Sequence, residues 1–429
     1  MDFYLANLVV LCAINTSLLY CQRRCRVQAA LPSINDTARG SETLQLHRAG
    51  SLQARFLVVY AFAVAADWLQ GPHIYAIYKY EKHLPEESVA LLYAAGFVSG
   101  AASAPMVGQL ADRFGRRLAC QIYCFAACTS CSLILRDSLS LLLLGRVFGG
   151  ISTTLLFSVF EAWMIAEFHR QGLDRSGTSL DQIFGRMTLV SSTVAIVAGV
   201  VGNILVEATG TRLWPFAVSS LSAVVAFCTM SVLWQENYGI VPVGKGLIIC
   251  LLHGARQALS NRRIAALGLA SCCLEGAMYL FVFFWSAALK SARVRIRPDE
   301  DVPYGLIFSC FMCSMALGSL ISQTVNGVSS AKTAATNLVI AMLAASASLS
   351  GAAVLDNEPL LFWSFCLLEF CFGIYFPAMA ALKSQFIEDD FRGAVYSSLR
   401  LPLNLFVVIA HSLDCEAIET SSFWYLRPF

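Results

Sequence analysis

From Phe3 to His411 the chain repeats one pattern: an apolar run long enough to cross a bilayer, then a short polar break. About 20 apolar residues suffice for a spanning helix, and only helices and closed barrels satisfy their own backbone polar groups in lipid. The runs fall at 3–21, then at 55–79, 87–109, 117–134, 139–166, 187–207 and 214–234, then at 264–290, 304–324, 334–354, 359–382 and 394–412. Composition agrees: 57% of residues are hydrophobic and 14% charged, against about 25% charged in soluble domains. The class expected is an all-α polytopic membrane protein.

Charge in the breaks sets the orientation, because cytoplasmic loops carry the excess of Lys and Arg. Arg23, Arg24 and Arg26 follow the first run, which has no basic residue before its core. That run therefore reads as an uncleaved span with the N-terminus outside. The same break also holds Arg39 and Arg48, and alternate breaks then hold Arg113, Arg116 and Arg117, Arg170 and Arg175, Lys245, Arg256, Arg262 and Arg263, Lys332, Lys383 and Arg392. The opposite breaks hold Lys82, Arg136 and Arg212, with one exception, Arg293, Arg295 and Arg297, followed by Asp299, Glu300 and Asp301. The organisation expected is an extra transmembrane helix at 1–21, a cytoplasmic linker at 22–54 and a six-helix bundle at 55–234. A basic cytoplasmic linker at 235–263, a second bundle of five spans at 264–412 and a polar tail at 413–429 complete it. Two pseudo-symmetric six-helix halves, the second with its last helix missing, fit this count.

The break between the second and third spans of the first bundle, 87–109 and 117–134, reads Gly108-Gln-Leu-Ala-Asp112-Arg113-Phe-Gly115-Arg116-Arg117. Gly115 suits a backbone needing positive φ or close approach. Three cations in five residues hold the hinge on the cytoplasmic side. Asp112 is placed to accept from helix N-terminal amides or to pair with those arginines. Upstream, Gly96, Gly100, Ala104 and Gly108 form a stripe spaced by four, and Gly145 and Gly149 repeat the spacing. Such stripes let helix backbones approach closely, either in a sliding contact between halves or in static packing.

Ionisable residues within the spans are the candidate functional groups, since a charge at mid-bilayer costs at least about 2.5–3.5 kcal/mol on insertion scales. Asp67, Arg146, Glu275 and Glu369 lie deep, while Glu161 and Arg400 lie nearer span ends. Asp67, Gln70, Ile74 and Tyr78 share one helical face, with Pro72 available to kink it. Arg146 and Glu161 share a face but stand about 22 Å apart along the helix, so each needs another partner. Asp67 or Glu369 would serve Arg146, as substrate contact or as structural ion pair. Glu275 has Tyr279 and Phe283 on its own face, and Arg400 is followed by Pro402 and Asn404.

The hinge string resembles the loop between the second and third helices of the major facilitator superfamily. Further strings narrow the resemblance: Ala66-Asp67-Trp68-Leu69-Gln70 with Pro72, Gly145-Arg146 with Gly149-Gly150, and Phe160-Glu161-Ala162-Trp163. Glu236-Asn237-Tyr238, Ile307-Phe308-Ser309, Gly373-Ile374-Tyr375-Phe376-Pro377 and Arg400 with Pro402 extend it. Together, over roughly 55–410, they look like the molybdate-anion transporter family, which also has an extra N-terminal span. The resemblance implies the facilitator fold, a monomeric carrier in the plasma membrane, and uptake of molybdate by alternating access. Arg146 and Arg400 are then the anion contacts, and Asp67, Gln70, Glu275 and Glu369 line the path, tune charge or carry a coupling proton. A tetrahedral dianion calls for Arg donors, hydroxyls and helix N-termini away from water.

Other classes are excluded or set aside. With net charge +2 nothing points to nucleic acid. The 16 cysteines lie scattered in apolar runs, so no structural metal, cofactor or disulfide framework is expected. No nucleophile elbow or phosphate-cradling loop suggests an enzyme. Two alternatives stand beside the oxyanion carrier: a carrier of the same fold for a sugar or other organic solute, and a non-transporting membrane scaffold or receptor.

Overall fold

The computed structural model describes residues 3–29, 39–173, 180–239, 256, 260–295, 297, 300–325, 331–386, 402, 403 and 406. The long helices are α1 (Phe3–Ala29), α2 (Arg39–Trp68), α4 (Glu86–Phe114), α5 (Arg116–Leu133), α6 (Leu139–Arg170) and α7 (Leu180–Thr209). They continue with α8 (Trp214–Leu233), α9 (Arg262–Val294), α10 (Tyr304–Val325), α11 (Ala331–Ala352) and α12 (Glu358–Phe386), while α3 is the single turn Ile74–Ala76. Ten helical segments of the described residues are long and apolar enough to cross a membrane; α5, rich in Cys, Ser and Ala, forms its helix without being among them. Of the segment expected at 394–412 only 402, 403 and 406 are described, and Arg400 lies outside the described residues.

Two departures from the expected spans are informative. α1 runs on to Ala29 and α2 already begins at Arg39, so the helices continue well beyond the apolar runs. The span expected at 55–79 is not one helix. α2 stops at Trp68, Gln70 N–H turns back to the Asp67 carbonyl (3.3 Å), and a 3-10 turn covers Gly71–His73. After α3 comes a π turn, Ile77–Glu81, closed by Lys82 N–H on the Ile77 carbonyl (2.8 Å). Pro72 has no N–H to continue the ladder and its ring clashes with the preceding turn.

The chain divides into two compact units. One comprises 1–72, 167–209 and 287–386. In it α10 packs against α1, α7 and α12, α12 also against α11, and α2 against α7. Glycines permit these contacts: a methyl on Gly318 would strike the Phe370 carbonyl, and one on Gly373 the Met315 carbonyl, so α10 and α12 touch backbone to backbone. Ser309 Oγ donates to the Ile196 carbonyl (2.9 Å), joining α10 to α7. The added helix α1 is fastened along its length: Tyr4 to Glu358, Asn15 Nδ2 to the Cys313 carbonyl (3.0 Å), and Gln22 Nε2 to the Leu320 carbonyl (2.9 Å). Its outer side exposes Leu5, Val9, Val10 and Ile14, which suits contact with lipid.

The other unit comprises 73–166, 210–286 and the described residues beyond 386 outside the first. α5 packs against α8 and α4. Trp163 and Trp234 stack at 3.9 Å, and Phe160 and Tyr123 pack edge-on beside them. α4 and α6 meet at Gly96, Gly100 and Gly150, where Thr154 Oγ1 donates to the Gly100 carbonyl (2.9 Å). The upper half of the four-spaced stripe is thus a helix contact inside this unit, whereas nothing lies within 4 Å of a methyl built on Gly108.

Candidate functional site

The hinge is bound by residues far away in sequence. Gly115 sits at φ +118°, a region that side-chain-bearing residues rarely enter, and this turns the chain from α4 straight into α5. Asp112 Oδ1 accepts from Arg116 Nε (2.8 Å) and Nη2 (2.7 Å), while Arg116 Nη1 donates to the Ala162 carbonyl (3.1 Å). The segment after α8 then closes over the turn. Glu236 accepts from the Arg117 amide (2.7 Å) and the Leu118 amide (3.0 Å), capping the first turn of α5. Arg117 Nη1 reaches the Trp234 carbonyl (2.8 Å), and Asp112 takes the Gly239 amide on its backbone oxygen (3.0 Å). Of the three hinge arginines, Arg113 is exposed over the Phe114 ring. Glu236 and Trp234 are hinge residues that the motif did not reveal.

The deep charges have separate surroundings. In the first unit, Asp67 and Gln70 are half-buried at the end of α2, where Trp68 Nε1 donates to Ser191 Oγ (3.2 Å) and Gln70 Nε2 to the Ala66 carbonyl (2.8 Å). Glu369 is buried within α12. In the second unit, Ser271 Oγ donates to Glu275, and Tyr279 packs on Phe97 at 4.8 Å while Phe283 packs on Tyr93 at 5.1 Å. The rings beside Glu275 are therefore part of the packing onto α4. Glu161 is exposed on α6.

Arg146 stands apart. Within its own unit no carboxylate among the described residues pairs with it. Its Nε donates to the Leu92 carbonyl (3.3 Å), and the guanidinium lies over the Tyr93 ring at 5.5 Å. Gly96 leaves the room: a methyl there would stand 2.6 Å from one guanidinium nitrogen. Arg146 is about 10 Å along α6 from its first residue. The cation is half-buried and so retains donors for a ligand.

Charges at the span ends pair locally. Lys79 binds Glu86 (2.6 Å), Lys82 binds Asp137 (2.8 Å) and Arg212 binds Glu81 (3.3 Å). Hydrogen bonding from Lys82 holds the Asp137 carboxyl below the usual carboxylate range. The basic exception in the charge pattern is neutralised: Arg293 bridges Glu300 (2.9 Å) and Glu358 (3.1 Å), and Arg295 pairs with Asp356. Arg297 and Arg293 together lower Glu300.

A sequence profile of a major facilitator family, described as sugar transporters with 12 TM, matches residues 29–359. The "Molybdate-anion transporter" of Xenopus tropicalis is 30% identical over 398 residues, covering 90% of this chain and 84% of the relative. That of Danio rerio is 32% identical over 383 residues, covering 82% and 77%. Among solved structures, the nucleoside transporter NupG superposes with TM-score 0.64 at 12% identity, covering 86% of this chain and 91% of NupG. A bacterial homologue of the human lysosomal transporter Spinster, in an inward-facing and unoccupied conformation, gives 0.56 at 15% identity, covering 86% and 81%. These two likenesses bear on the fold alone.

Proposed function

This chain belongs to the molybdate-anion transporter family of the major facilitator superfamily, and from that premise we propose that it carries molybdate or a similar oxyanion by alternating access. It is a multi-pass membrane protein of a transporter family. The observation that favours an anion is Arg146, a half-buried guanidinium without a carboxylate partner among the described residues, over the Tyr93 ring. Arg400 supplies a second cation in this proposal. Asp67, Gln70, Glu275 and Glu369 line the path, tune its charge or carry a coupling proton. The hinge of Gly108, Asp112, Arg113, Gly115, Arg116 and Arg117 gates the rocking of two bundles, 55–234 and 264–412. The carrier works as a monomer in the plasma membrane, with its N-terminus outside.

The test is molybdenum accumulation in cells lacking their own carrier. Expression of the full chain raises it, and Arg146→Ala removes the gain at unchanged membrane abundance. No gain from the unaltered chain overturns the proposal. A second reading, a sugar carrier, draws on the description of the matching family. Inhibition of uptake by a hexose but not by tungstate selects it.

A further inference from the structure

In the second unit the Arg146 guanidinium lies over the Tyr93 ring, with Tyr78 as a further neighbour. Arg146 comes from α6, Tyr93 from α4 and Tyr78 from the π turn. Both tyrosines are buried, at 3% and 2% exposure. Each is an electrostatic neighbour of Arg146, and the two are neighbours of one another. Among the described residues neither phenol oxygen has a hydrogen-bond partner, and the guanidinium uses only its Nε, on the Leu92 carbonyl. Neither phenol oxygen is among the fully enclosed side-chain atoms left unpaired, so both border open space that a ligand atom can reach, and a cation without a counter-charge costs free energy there. Nothing in the helix packing requires polar atoms there, since phenylalanine would fill the same space.

The acids of this unit nearby are engaged elsewhere. Glu86 accepts from Tyr75 (2.6 Å) and pairs with Lys79, Glu81 pairs with Arg212, and Glu275 accepts from Ser271. The cluster is therefore made of donors. An anion with every oxygen deprotonated is matched by such a set. Hydrogenphosphate, which keeps a proton at neutral pH, brings a donor of its own. A phenol that accepted it would have to turn its own proton away from the anion and so give up its own bond to it.

We propose, resting on the oxyanion-carrier reading above, that Tyr78 and Tyr93 complete with Arg146 a donor-only site that selects fully deprotonated tetrahedral dianions over hydrogenphosphate. Molybdate, tungstate and sulfate satisfy this rule; phosphate and arsenate do not. Tyr78 and Tyr93 are then specificity-determining residues, and removing either hydroxyl weakens binding of the anion without altering the movement of the helices.

Saturable uptake of labelled molybdate by cells expressing the full chain tests this. Tyr78→Phe and Tyr93→Phe each raise KM roughly tenfold, as expected for one hydrogen bond to a charged group, with Vmax within about twofold of the unsubstituted carrier. In that carrier tungstate and sulfate compete, whereas phosphate in large excess does not. Unchanged KM in both phenylalanine variants overturns the inference, and so does phosphate competing as well as sulfate. The competition series needs no variant, so a misfolded substitution does not protect the idea. Uptake that depends on Arg146 but ignores both hydroxyls sinks this inference alone. Absence of any saturable molybdate uptake defeats the carrier reading itself.

Discussion

At the scale of single residues, position matters more than type. Gly96 is one of the four-spaced glycines, yet its role is specific: it makes the space the Arg146 guanidinium occupies. Gly96→Ala places a methyl against the flexible end of that arginine, which shifts at small energetic cost. The expected result is near-normal stability and membrane abundance with uptake reduced severalfold, read by parallel melting and flux measurements. Glu236 is the complementary case. Its carboxylate caps the first turn of α5 through two amides, so Glu236→Ala removes about 1 kcal/mol of cap stabilisation. A melting temperature lower by roughly 2–4 °C is expected, and no shift would contradict the cap. The exposed Asp137 offers a small pH effect. Its carboxyl is held low by Lys82, so the pair's contribution exists above the usual carboxylate range and is lost as pH falls through the depressed folded value. Lys82→Met should flatten that acid limb of the melting curve. The sequence pointed to Arg146 and Asp112 because a charge in an apolar run, or a Gly-Asp-Gly spacing, is visible locally. It was silent on Tyr93 and on the cap by Glu236, because those roles exist only when segments distant in sequence meet.

At the scale of elements, helix existence was legible and helix continuity was not. Apolar length announced each described span, but it also drew 55–79 as one helix, where the chain at Pro72 breaks into 3-10 and π turns. The break could be anticipated as a kink from Pro72; its extent depends on turn hydrogen bonds such as Lys82 N–H to the Ile77 carbonyl. The glycine stripe shows the same limit, since spacing allows close approach without naming the partner, and at Gly96 and Gly100 the partner is α6. α1 supports a direct test. Cys12 and Cys313 place their sulfurs 3.6 Å apart, one on α1 and one on α10. In a variant keeping only these two cysteines, mild oxidation should cross-link them, so that a protease site inserted near residue 35 no longer separates the N-terminal fragment on a non-reducing gel. Free release of that fragment would show α1 seated elsewhere.

At the scale of the whole molecule, membership of a transporter family fixes the class of activity, and the chemistry beside Arg146 argues for an anion as cargo. Major facilitator proteins share a frame across different solutes, so the fold alone does not choose a substrate. The central claim is that this chain is a carrier whose substrate is read by Arg146, and counterflow tests it most directly. The purified full-length protein is reconstituted into vesicles loaded with unlabelled molybdate, and entry of labelled molybdate is followed. Transient accumulation above equilibrium, abolished by Arg146→Ala and depressed by external tungstate, is the expected result. Vesicles that show no counterflow with the unaltered protein, or the same counterflow with Arg146→Ala, would contradict it.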